Sequence, residues 1–81
     1  MAITHKREGL TLIKGQVSVD ATAGVDVTNA TIVEFEIAGD ATVTYTDTTT
    51  DVYTIPNAGT RVGLTGSNIT TITFAGNISY S

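Results

Sequence analysis

The stretch Thr31-Ile-Val-Glu-Phe-Glu-Ile37 alternates apolar and acidic side chains. In an extended chain Val33, Phe35 and Ile37 fall on one side, and Glu34 and Glu36 on the other. That two-residue period predicts a strand with one buried and one wetted face. The next stretch, Thr42-Val-Thr-Tyr-Thr46, keeps the period, with Val43 and Tyr45 inward and Thr42, Thr44 and Thr46 outward. Ala38-Gly-Asp40 between them reads as a tight turn, so the pair is expected to form a β-hairpin.

Outward from this pair, turn residues recur about every ten positions, the rhythm of a small sandwich or barrel. Residues 10–19 read as a strand with Gly15 as a bulge or bend. Ala21-Thr-Ala-Gly24 reads as a turn, and residues 25–27 as a short edge strand protected by Asp26. After the polar loop 47–51, residues 52–55 form a strand that ends at Pro56-Asn-Ala-Gly59, where Pro presets φ and Gly admits positive φ. Residues 61–64 make another strand, with a turn at 66–68. Residues 69–80 make the last, with Gly76-Asn77 as a bulge or tight turn. The expectation is an all-β fold: a small β-sandwich or barrel of six to seven short, mostly antiparallel strands. It occupies residues 9–81 behind a polar, weakly basic arm, residues 1–8. The expected core is Leu12, Val17, Val19, Val33, Phe35, Ile37, Val43, Tyr45, Val52, Ile55, Val62, Leu64, Ile72, Phe74 and Ile78.

Composition agrees. Thr, Val and Ile occupy 33 of the 81 positions. These β-branched residues lose rotamer freedom in a helix and pack well on a pleated surface. A helical bundle, a coiled coil and a βαβ enzyme domain are thereby excluded. There are no cysteines, so neither disulfides nor thiolate metal sites are available. A domain this small normally draws extra stability from a disulfide, a metal or a partner, and the balance here favours a partner.

Charge is unevenly placed. Lys6, Arg7 and Lys14 face only Glu8 in the first fourteen residues. Beyond them Arg61 stands against seven carboxylates. An acidic body repels phosphate, which argues against nucleic acid as a partner. The N-terminal stretch lacks the apolar core of a secretory signal, and no apolar run reaches the ~20 residues of a membrane helix. Synthesis in a cytoplasm without membrane attachment is expected.

Catalysis near neutral pH needs a group that moves protons or attacks. The only histidine is His5, in the arm, and there is no thiol. No catalytic, metal or cofactor site is expected, and the chain is read as a non-enzyme. Glu34 with Glu36 could form a carboxylate pair, but an ordinary solvated strand face accounts for them better. Asp47-Thr-Thr-Thr-Asp51 lacks the ligand spacing and glycine of a calcium loop and reads as a plain turn. Asn29-Ala-Thr31, Asn68-Ile-Thr70 and Asn77-Ile-Ser79 arise by default where a turn meets a strand.

Thr42, Thr44 and Thr46 present methyl and hydroxyl together, with Thr71 and Thr73 as a possible second row. Such a surface stays wetted before assembly and tolerates burial afterwards. With Ile3, Lys6 and Arg7 of the arm, these threonines are the candidate protein-interface residues. Thr-rich strands at 42–46 and 69–74, a strand-like ending at 76–81 and a short polar arm together resemble the small β-sandwich virion proteins of tailed bacteriophages. That resemblance implies a structural protein made in the host cytoplasm and located in the virion. It would bind and stabilise the capsid as a cement or decoration protein, with homo-oligomeric contacts and a capsid or tail protein lattice as partner. A tail-tip, baseplate or head-tail connector component is one alternative. A small carbohydrate- or ice-binding β module, with Tyr53 and Tyr80 as candidate sugar platforms, is another.

Overall fold

The computed structural model describes residues 17–81. Eight strands build them: β1 (Val17–Asp20), β2 (Val25–Asp26), β3 (Ile32–Phe35), β4 (Gly39–Tyr45), β5 (Thr50–Ile55), β6 (Thr60–Gly63), β7 (Ile69–Phe74) and β8 (Asn77–Tyr80). They form two four-stranded antiparallel sheets, ordered β1-β8-β3-β6 and β2-β7-β4-β5. The fold is an open sandwich rather than a barrel. Val33, Phe35 and Ile78 of the first sheet meet Ala41, Val43, Ile55, Ile72 and Phe74 of the second. Phe35 and Phe74 join the layers edge to face, with ring centroids 4.9 Å apart.

The expected hairpin between residues 31–37 and 42–46 does not form. β3 and β4 belong to different sheets, and the hairpin is β4–β5, closed over residues 46–49. Gly39 and Asp40 are the first residues of β4 rather than a turn. Gly39 has φ +154°, and a Cβ there would lie 3.3 Å from the Phe74 ring. Only glycine lets the chain cross between layers while lying against that ring. The residues read as one strand, 69–80, likewise divide into β7 and β8, which pair in opposite sheets. The break falls at Gly76, where a Cβ would sit 2.8 Å from Ile37 Cδ1. The two crossovers thus pack on each other at one corner of the sandwich.

That corner also explains a core misassignment. Ile37 lies beyond the end of β3, over Gly76, and is 48% exposed. Val52 and Val62, also expected in the core, are exposed: Val52 pairs with Thr42 and faces outward, and Val62, opposite Val33, lies on β6, at the edge of the first sheet among the described residues. Ala21, Val27 and Ala41 are buried in addition to the expected set. Leu12, the Gly15 bend and the arm lie outside the described residues, and the side chain of Val17 is likewise undescribed.

Candidate interaction surface

The outer face of the second sheet is built from threonine. Cross-strand partners share a face, and Thr42 stands opposite Thr73 on one side and Val52 on the other. Thr44 stands between Thr71 and Thr50 in the same way. The sequence singled out one row of threonines and a possible second; the register supplies three adjacent rows, on β7, β4 and β5. Val52 is 63% exposed within this face, the most exposed large apolar residue described. Thr42 and Thr44 are half-buried, while Thr46 is exposed in the turn after β4. Ile3, Lys6 and Arg7, the other expected interface residues, lie outside the described residues.

Beside this face the sandwich is open. Between the edge strands β5 and β6 lies a cleft of about 560 Å³, floored by core residues such as Val33, Phe35, Val43 and Ile72. Tyr45, Tyr53 and Val62 are among the residues lining it. Tyr45 donates its phenol proton to Asp51 Oδ2 at 2.8 Å and stands 2.9 Å from the Tyr53 oxygen. Tyr53 is 49% exposed, whereas Tyr80, the other candidate platform, is half-buried against the core.

The outer face of the first sheet overturns the expectation of a solvated pair. Glu34 is fully buried, as is its ladder neighbour Ser79. Arg61, directly opposite on β6, donates from Nε to Glu34 Oε1 at 2.9 Å. Among the described residues Glu34 Oε2 has no hydrogen-bond partner. Glu36 Oε2 accepts from the Ser18 hydroxyl at 2.6 Å and the Ser79 hydroxyl at 2.9 Å. β3 is a central strand, and its register sets Glu34 between Ser79 of β8 and Arg61 of β6. Alternation reports which side a residue faces, not whether that side is wet.

The reading of residues 47–51 as a plain turn also missed a recurring device. Asp20, Asp26 and Asp47 each accept both the amide and the hydroxyl proton of the threonine two positions on, Thr22, Thr28 and Thr49. These Asx turns hold all three carboxyls below their usual range. For Asp20 the amide bond contributes most, and for Asp26 and Asp47 the hydroxyl bond does. The Asp-X-Thr repeat was visible in the sequence. A fourth copy, Asp40-Ala-Thr42, lies inside β4, and there Asp40 accepts from Thr54 instead.

No family model, curated protein or solved structure matches this chain.

Proposed function

We propose that this chain is a non-enzymatic structural module of a phage virion, a cement or decoration protein that binds and stabilises the capsid. The observation that carries the proposal is the three-strand threonine face with Val52 exposed in it. Threonine hydroxyls keep such a face wetted while it is free, and the methyls supply contact area once it is covered. Binding through a sheet face also needs no catalytic group. The basic arm, with Ile3, Lys6 and Arg7, adds a charged contact to a neighbouring copy or to an acidic shell, at only ~0–1 kcal/mol per exposed pair.

Val52→Glu tests this directly by placing a charge in the centre of the face. Particle incorporation should be lost while the circular dichroism spectrum stays that of the parent. Normal incorporation would remove the threonine face from the interface. Copy number in the particle separates the shell location from a tail-tip, baseplate or connector one: hundreds of copies against a handful. A carbohydrate-binding reading draws on one feature, the half-exposed Tyr53 ring at the cleft. Oligosaccharide titration followed by Tyr53 resonances tests it.

A further inference from the structure

The cleft between β5 and β6 is lined by five hydroxyl-bearing residues, and each spends its proton inside the protein. Tyr45 gives its proton to Asp51, so Tyr53 must be the donor in the 2.9 Å contact between the two phenols. Thr54 donates to Asp40 Oδ1 at 3.2 Å. Thr60 and Ser67 donate to the carbonyls of Asn57 and Leu64, both at 2.6 Å. Thr54 turns its hydroxyl to the outer face, and what Tyr45, Tyr53, Thr60 and Ser67 have left for an occupant is lone pairs. Turning one of them round would break a bond within the protein.

The cavity volume of about 560 Å³ lies within the ~300–1,000 Å³ range of ordinary ligand sites, and its floor is aliphatic and aromatic. An apolar body therefore fits, provided it brings its own donor. Sign of charge narrows the class further. Asp51 stands at the Tyr45 hydroxyl, and the described residues carry seven carboxylates against Arg61. A carboxylate- or phosphate-ended ligand would meet lone pairs and negative charge together.

We propose that this cleft binds an aliphatic chain ending in an ammonium group, supplied in an assembly by a lysine side chain of a partner polypeptide. Lysine has an apolar stem and three donors with no acceptor. Among the described residues β5 and β6 are both edge strands, so an extended partner segment can run along either while its lysine enters between them. The lysine source rests on the assembly reading above; alkylammonium binding by the cleft does not.

The test uses the full chain, labelled with ¹⁵N, titrated with n-hexylammonium and with hexanoate, two probes of like apolar body and opposite end group. Hexylammonium should shift the amide signals of Tyr53, Val62 and Leu64 and bind about ten-fold or more tightly than hexanoate. Asp51→Asn should cut that preference about five-fold, and added salt should weaken hexylammonium while leaving hexanol unchanged. The salt series carries the test if the variant does not fold. Equal or tighter binding of hexanoate, or no shift at the cleft with any probe, overturns the proposal. Blocked Val-Lys-Val should move the same amides and blocked Val-Glu-Val should not; if neither does, the polypeptide source is wrong. Val52 does not line the cleft, so Val52→Glu should leave hexylammonium binding intact. A failed cleft and a failed assembly surface are thus told apart.

Discussion

β3 and β5 both mix apolar and polar side chains and meet opposite fates. In β3, Val33, Glu34 and Phe35 are all buried. In β5, Ile55 alone is buried, and Val52 and Tyr53 are the two most exposed large hydrophobic residues described. A glutamate is thus fully buried while a valine is 63% exposed. Hydropathy does not explain the inversion; register does, setting Glu34 between Ser79 and Arg61 and turning Val52 to the outer threonine face beside Thr42. Among the described residues β3 has a strand on each side, β8 and β6, and β5 has only β4. A central strand is flanked on both faces by its neighbours' side chains, whereas an edge strand leaves half its surroundings to solvent. The edge is where a second chain can be received.

The largest expected effect that bears on this contrast is truncation of Phe35. Phe35→Ala should cost about 3–5 kcal/mol in urea unfolding, through lost burial and the cavity left beside Phe74. A loss near 1 kcal/mol would mean that the centre of the first sheet is far softer than its burial indicates.

The buried carboxylate comes next. Arg61→Ala removes the guanidinium facing Glu34 and should cost about 2–3 kcal/mol. That is below the figure for a fully enclosed pair, because the Arg61 side chain is 40% exposed. Replacing both residues, Glu34→Leu with Arg61→Met, should recover most of the loss, since a paired buried charge adds little over an apolar pair of similar shape. If the double variant is as unstable as Arg61→Ala alone, the pair itself is a net source of stability.

On the edge, Val52→Thr should change stability by less than about 0.5 kcal/mol, because the side chain is already in water. A larger loss would show that β5 is covered in solution.

The smallest effect concerns acid. Asp20, Asp26 and Asp47 have folded values lowered from 3.8, so their contribution is complete above about pH 4 and is lost as the pH falls through the lowered values. The parent's melting temperature should therefore drop more steeply below pH 4 than that of the triple variant Thr22→Val, Thr28→Val, Thr49→Val. Parallel profiles would show that the Asx turns do not couple to folding.

Much of this architecture is legible in local chemistry. β-branched content and two-residue alternation determine that the chain is all-β. The turns at Ala21–Gly24, Pro56–Gly59 and Gly66–Asn68 follow from Gly, Pro and Asn, whose backbone preferences act without help from the rest of the chain. Most of the inward residues follow from parity along each strand. Of the interface candidates, Thr42 and Thr44 were legible for the same reason, since parity alone puts them outward.

Other features depend on which strand lies beside which. Gly39 and Gly76 look like turn residues, but their role is to let two crossovers pass beside Phe74 and Ile37. The same Asp-X-Thr triplet caps a turn at Asp20, Asp26 and Asp47 and lies within a strand at Asp40. The three-row threonine face and the acceptor-lined cleft combine residues from strands distant in sequence. Side-chain parity is a property of the single strand and can be read residue by residue. Sheet membership and register, and with them the partners of Glu34 and the outward face of Val52, are settled only when two layers close on a common core, because only then does each strand acquire its neighbours.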